Sequence, residues 1–394
     1  MKLRGHLIIY LPVIFAALSC NSPSGKQLGN QVENANDTAN WTLAGFKKAD
    51  KFNPIMAAGE SKFKDPILKK TVLWDEKDVF NPAVIVKDGK VWMLFRAEDK
   101  IGKFAGTSRI GLAESADGIH FVKQKSPVLY PQNDAQKIFE WEGGIEDPRV
   151  VEDKAGTYVM MYTAYDGDKA RLMVATSTDL SSWSKKGHVF AGAKDQKYVK
   201  GWSKSGSVVS RYQPDGKIIA EKINGKYWMY WGDTYLWLAT SDDLINWTPV
   251  AAGEKQSAPP LHFTNMYPEL KIALSPRKGK FDSDLVEPGP PAMITKKGIL
   301  LIYNSRNILA SGDSTLKEHT YTAAQALFDL KDPGKLIKRM DNYFMKPDRP
   351  FETDGQVNQV VFLEGLARFN NQWFLYYGTA DSKIAVAVSE EGMK

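Results

Sequence analysis

A seven-residue phrase recurs along this chain, and it limits the fold more than any other feature. Ser115-Ala116-Asp117-Gly118-Ile119-His120-Phe121 returns as Ser177-Thr178-Asp179-Leu180-Ser181-Ser182-Trp183 and again as Ser241-Asp242-Asp243-Leu244-Ile245-Asn246-Trp247. The period is 62–64 residues, longer than the roughly 40–50 of common propeller repeats. Each copy follows a short alternating apolar run, and each run follows a turn and a β-rich segment. The turns are Lys87-Asp88-Gly89-Lys90, Lys154-Ala155-Gly156 and Asn224-Gly225-Lys226. Asp-Gly and Asn-Gly between β-branched and aromatic residues are hairpin signals. Two degenerate copies follow, around Ile299 to Tyr303 and Trp373 to Tyr377. No long stretch carries the 3.6-residue period of an amphipathic helix. Five units of about four short strands predict an all-β chain, a five-bladed β-propeller over residues 70–394, because radial repetition limits exposed sheet edges. A β-sandwich fits a regular unit less well. Trp183 and Trp247 read as packing residues.

Composition excludes several other classes. The 394 residues are 43% hydrophobic and 25% charged, with a formal net charge of +6 and one cysteine. That apolar fraction is enough for a packed core. One cysteine makes neither an internal disulfide nor a thiolate metal cluster. The charge is mild and its lysines are dispersed, so nucleic acid is not an expected partner. Residues 1–20 read as a secretory signal, with Lys2 and Arg4 ahead of an apolar stretch. Ala17-Leu18-Ser19-Cys20 resembles a bacterial lipobox. Cys20 is therefore expected to be acylated, with membrane lipid as its partner and the cell envelope as its location, on the periplasmic face of the outer membrane. Residues 21–69 read as a flexible tether and lead-in, the Ser, Asn, Gly and Gln-rich part ending at Asn40.

In a propeller the first strand of each blade lines a central funnel. The entrances to those strands carry Asn81-Pro82, Glu146-Asp147-Pro148-Arg149, Glu287-Pro288 and Glu364-Gly365. The strand ends that follow add Arg96, Glu98, Asp99, Asp166, Asp233 and Asp381. A turn carboxylate by itself is ordinary. Carboxylates recurring at one level, beside arginine and aromatic residues, suit glycoside chemistry, in which one carboxyl protonates a leaving oxygen and another activates a nucleophile. The clustered oxygens lack EF-hand spacing, which ranks a metal lower. No cofactor is expected.

These motifs resemble glycoside hydrolase family 130, mannoside phosphorylases and mannosidases built on a five-bladed propeller. The carriers are Gly143-Gly144-Ile145-Glu146-Asp147-Pro148-Arg149, Asn81-Pro82 with Phe95-Arg96-Ala97, and Ser108-Arg109-Ile110-Gly111. Lys204-Ser205-Gly206-Ser207, Phe281-Asp282-Ser283, Glu287-Pro288-Gly289-Pro290-Pro291 and Tyr376-Tyr377-Gly378-Thr379-Ala380-Asp381 complete the set. The resemblance implies a β-mannosidase-like, inverting enzyme acting on manno-oligosaccharides, closest to the β-1,2 branch. It implies that Asp147 holds the −1 sugar through O3 and that Glu287 is the general base; Asp233 stands at the expected place of the acid, and either serves as that acid with an adjusted backbone or marks a different substrate or a weak enzyme. It further implies substrate contacts from Asn81, Arg96, Asp99, Arg109, Glu146, Arg149, Lys204, Tyr303 and Asp381. One departure stands out: Asp233 occupies a place where that branch has glutamate, one methylene longer. Phosphorolysis is the alternative, with Lys204 and Arg211 as the third unit's cations and no histidine between His188 and His262. A lipid-anchored sugar-binding protein with little activity is the other.

Overall fold

The computed structural model describes residues 41–104, 106–194, 196–253 and 266–389. Cys20, with the rest of the signal and residues 21–40, lies outside them. The fold is all-β; among the described residues the helices are single turns at Lys137–Glu140, Lys197–Lys200 and Pro350–Thr353. Five antiparallel meanders follow one another along the chain. The first comprises Asp78–Lys87, Lys90–Glu98, Ser108–Ser115 and Val122–Lys123. The second comprises Gly144–Glu152, Tyr158–Tyr165, Ala170–Ser177 and Ser184–His188. The third is Gly206–Val208, Tyr227–Trp231, Leu236–Ser241 and Trp247–Pro249. The fourth opens with Leu285–Pro288 and Met293–Thr295 and continues through Gly298–Arg306, Tyr321–Phe328 and Leu336–Arg339. The fifth has Val361–Phe369, Gln372–Thr379 and Lys383–Ser389.

The recurring phrase is the turn into each outer strand. Ser115 Oγ accepts from the Gly118 amide, and Asp117 Oδ1 accepts from the amides of Ile119 and His120. Ser177 with Asp179, and Ser241 with Asp243, repeat the arrangement. Short polar side chains thus replace ladder partners where the strand turns. The residue after the aspartate has positive φ in all three: Gly118, Leu180 and Leu244. The tryptophans that follow then donate back, Trp183 Nε1 to Leu180 O and Trp247 Nε1 to Leu244 O.

Apolar faces join neighbouring meanders. Val79, Phe95, Tyr376 and Val386 pack between the first and fifth. Ile110, Met160, Leu172 and Trp231 belong to a cluster shared by the first three. Tyr230, Leu238, Leu301 and Phe328 join the third to the fourth, and Ile302, Leu363 and Tyr377 join the fourth to the fifth. The contacts therefore form a closed cycle: Asp78–Lys87 packs against both Gly144–Glu152 and Val361–Phe369.

The lead-in that follows Asn40 is ordered. From Trp41 it is part of the fold. Trp41 and Leu43 are buried in the interface between fourth and fifth meanders. Gln325 clamps Leu43 by accepting from its amide and donating to its carbonyl, at 2.9 and 2.7 Å. Lys47–Lys48 then pairs antiparallel with Ala387 and Val388, supplying the fifth meander's outer strand. Asn53 extends the seam, its amide side chain exchanging two hydrogen bonds with Val386. The third meander also departs from the repeat. A hairpin of Ser210–Tyr212 and Ile218–Ala220 bridges Glu152 and Met293 of the neighbouring meanders.

Candidate active site

The inner strands carry a recurring irregularity. The ladder of the first slips between Phe80 and Pro82, that of the second between Glu146 and Arg149, and that of the fifth between Leu363 and Gly365. A bulge adds a residue, bends the strand and re-aims a side chain. The displaced residues are Asn81, Asp147 and Glu364. Asn81 and Asp147 take φ of 48° and 49°, a region that Asn and Asp enter at less cost than other side chains. In the fourth meander Glu287 precedes Pro288 and Gly289, and a Cβ on Gly289 would lie 2.9 Å from the carbonyl oxygens of both Ile302 and Leu363. Glycine there lets this strand approach the fifth. These devices bring side chains from four meanders to one place.

Asp147 is the hub. Its Oδ1 accepts from Asn81 Nδ2 at 2.9 Å and from Arg96 at 3.2 Å, and its Oδ2 lies 3.1 Å from Lys204 Nζ. Burial opposes its charge, but Lys204 and Arg96 hold its carboxyl well below the usual carboxylate range. Lys204 Nζ also lies 3.6 Å from Glu287 Oε1, and Ser205 Oγ donates to that same oxygen. Asp233 Oδ2 accepts from Trp202 Nε1 at 2.9 Å. Arg96 further pairs with Glu98 at 2.7 Å and Glu146 at 2.9 Å. Burial pushes Glu146 and Asp381 up to about 7 each.

Glu287 and Asp233 have pKa values raised above the ordinary range, each by burial, and for Glu287 the charge of Asp233 adds to the effect. Two interacting carboxyls that resist ionising together titrate as a pair. Lys204 and the Ser205 hydroxyl face Glu287 and the Trp202 indole faces Asp233, so each carboxyl has a neighbour that favours its charged form against burial. A carboxylate base and a carboxylic acid in one water-accessible cleft are the two parts needed for glycoside cleavage. Access comes through Arg96, Lys204, Asp233 and Asp381, which are partly exposed, whereas Asp147 and Glu287 are buried.

A family model described as β-1,4-mannooligosaccharide phosphorylase matches residues 53–393. The chain belongs to glycoside hydrolase family 130. It is 32% identical over 328 residues to a 1,2-β-oligomannan phosphorylase of Thermoanaerobacter sp. (strain X514), covering 80% of this chain and 91% of that one. Among solved structures, a glycosyl hydrolase from Bacteroides ovatus superposes with TM-score 0.81 at 45% identity, covering 88% of this chain and 94% of the other. A structure reported for family members that are glycoside hydrolases targeting β-1,2 mannosidic linkages in Candida mannan has TM-score 0.81 and 44% identity, over 88% and 94% of the two chains.

Not every expected site residue of this family-130 chain reaches the cleft. Arg109 and Asp99 are fully buried beneath it: the guanidinium lies 2.7 Å from Asp99 and 2.7 Å from Asp65 of the lead-in. This triad ties the lead-in to the first meander and has no surface for a sugar. Tyr303 is also fully buried, its hydroxyl donating to Asp282 and accepting from Arg339 Nε. Arg149 is 2% exposed. Its guanidinium donates to the carbonyls of Pro288 and Gly289 and pairs with Glu364 at 2.8 Å. It braces the site from below. Arg211 lies on the extra hairpin, paired with Glu221. Asn81, Arg96, Glu146, Lys204 and Asp381 do gather with Asp147, Asp233 and Glu287. Residues that sequence reasoning passed over are Trp202, Ser205 and Arg306. Ser205 stood inside the Lys-Ser-Gly-Ser motif, and Trp202 two residues before its lysine; Arg306, held by Asp284, carried no signal.

Proposed function

We propose that this protein is a five-bladed β-propeller enzyme that hydrolyses β-1,2-mannosidic linkages with inversion. The meanders would be its blades, and the closed cycle of contacts among them supports that reading. The observation that carries the hydrolytic reading is the Glu287–Asp233 pair beside Lys204. Asp233 gives its proton to the glycosidic oxygen as the bond to the anomeric carbon breaks. Glu287 takes a proton from a water molecule, whose oxygen attacks that carbon from the opposite face. Asp147, ionised and fixed by Asn81, Arg96 and Lys204, accepts from a hydroxyl of the sugar being cleaved. The sugars named for the solved relative at 44% identity support the linkage.

Phosphorolysis is the second reading, favoured by the activity named for the Thermoanaerobacter relative. A phosphate dianion needs converging cations. Here Arg96 and Lys204 are each engaged by two or more carboxylates, which opposes a second anion. Incubation with β-1,2-mannobiose separates the readings. Mannose released at the same rate with and without phosphate supports hydrolysis. Mannose 1-phosphate formed only with phosphate would replace it by phosphorolysis, and binding without turnover would reject both. Acylation at Cys20 and an envelope location are likewise proposed from the lipobox-like segment; replacing Cys20 by Ser should release the protein from the membrane fraction.

A further inference from the structure

One short segment touches all three catalytic carboxylates. Trp202 Nε1 donates to Asp233 Oδ2 at 2.9 Å. Lys204 Nζ faces Asp147 at 3.1 Å and Glu287 at 3.6 Å. Ser205 Oγ donates to Glu287. The segment is anchored on both sides. Tyr267 Oη donates to Trp202 O at 2.9 Å, the Ser203 amide donates to Ala170 O at 3.0 Å, and the Gly232 amide donates to Lys204 O at 2.9 Å. That last bond ties the segment to the turn that carries Asp233.

We infer that Trp202 is a positioning residue that fixes which oxygen of Asp233 carries the catalytic proton. The indole N–H can only donate, so the oxygen it faces must be an acceptor. The carbonyl oxygen of a protonated carboxyl is the better acceptor, so the bond favours Oδ2 in that role and the proton on Oδ1, and the carboxyl cannot rotate without breaking it. The other groups acting on Asp233 are Lys204, its own backbone amide, Arg306, Glu287 and the Tyr267 hydroxyl. The indole bond favours the charged carboxylate, so it also keeps the acid strong enough to give its proton up.

The inference rests on Asp233 being the acid, and the experiment tests the two separately. Asp233→Asn is assayed first, on β-1,2-mannobiose and on a dinitrophenyl β-mannoside whose leaving group needs no proton. It should lose the first activity and keep most of the second; equal loss on both would overturn the acid assignment and this inference with it. Trp202→Phe, which keeps an aromatic ring and removes the donor, should lower kcat on mannobiose by about tenfold, the scale of one hydrogen bond to an ionisable group. KM should stay within about twofold on the same argument. Activity requires Asp233 protonated and is lost as pH rises through its pKa. Loss of the bond raises that pKa, so the basic limb of the pH–rate profile should move to higher pH. An unmoved limb, or equal loss on both substrates, would overturn the role of Trp202 while leaving Asp233 as acid. Should the phenylalanine variant not fold, Asp233→Glu gives the second test. Its longer side chain carries the carboxyl past Nε1, and a variant more active than the native protein would overturn the inference.

Discussion

Replacing Arg149 by methionine tests whether that arginine braces the site or binds substrate. Its guanidinium makes two short bonds to consecutive carbonyls, 2.9 Å to Gly289 and 2.7 Å to Pro288, and pairs with Glu364 at 2.8 Å. Both partners of the pair are essentially without solvent. Methionine approximates the volume and removes every donor. Breaking a buried pair from one side costs about 3–5 kcal/mol. Glu364 softens this: burial already raises its pKa well above the ordinary range, with Arg149 opposing, so loss of Arg149 favours its neutral form further. The stranded carbonyls add about 1–3 kcal/mol for a buried acceptor left unmade. A net loss of about 4 kcal/mol is expected, read from urea midpoints at constant slope. The loss should be larger at pH 8 than at pH 5. A raised folded-state pKa gives stability that is present at low pH and lost as pH rises through it, and the substitution raises that pKa further. Adding Glu364→Gln should recover about 2 kcal/mol of the loss at pH 8. Kinetics complete the test. The bracing role predicts a lower kcat, because Pro288 and Gly289 follow Glu287 directly. A variant as stable as the native protein, with unchanged kcat and raised KM, would refute the bracing role and restore Arg149 as a sugar ligand.

Glu287→Gln should reduce hydrolysis by roughly 10²–10⁴-fold, the usual share of a general base, and the native kcat/KM should fall on the acid side with an apparent pKa above 4.5, because burial raises Glu287 and a base works only when ionised; full activity in the glutamine variant would remove the assignment. Asp381→Asn should raise the thermal midpoint at pH 8 and leave it unchanged near pH 4. Asp381 has a folded-state pKa of about 7 raised by burial, so its contribution is present below the unfolded value and lost as pH rises through 7; a midpoint difference independent of pH would contradict this. Deleting residues 41–48 removes buried Trp41 and Leu43 and the strand Lys47–Lys48, and should cost about 3–6 kcal/mol from the two apolar side chains alone, with kcat of the folded fraction unchanged in single-turnover assays. An unchanged denaturation midpoint would mean that the lead-in is dispensable.

The meanders were legible because their signals are local. Ser115, Asp117 and the following positive-φ residue act within one turn, and the hairpins at Gly89, Gly156 and Gly225 need only their own backbone freedom. The level of the site was legible for the same reason: a bulge at Asn81 or Asp147 is written in the Asn-Pro and Glu-Asp-Pro-Arg runs around it. Direction was not legible. Arg149 and Asp147 are two residues apart, yet one faces the cleft and the other the backbone of the fourth meander, because the bulge between them changes which side of the strand is which. Arg109 could not be placed without Asp65, whose position depends on how the lead-in wraps. Trp202 and Asp233 are 31 residues apart, and their meeting follows from the pairing of Gly206 with Trp231, a tertiary fact.

The fifth meander's outer strand comes from the start of the fold. Lys47 pairs with Val388, so two strands separated by nearly the whole chain must meet before the ring of contacts is complete. As the chain is made from its first residue, Lys47–Lys48 and Asn53 have to wait, with open edges, until the last strand emerges. Lys48 also depends on late residues, Asp348 and Glu352, for its ion pairs. The seam therefore makes closure depend on both ends of the fold: without Lys383–Ser389, Lys47–Lys48 has no strand to pair with and Gln372–Thr379 keeps an open edge.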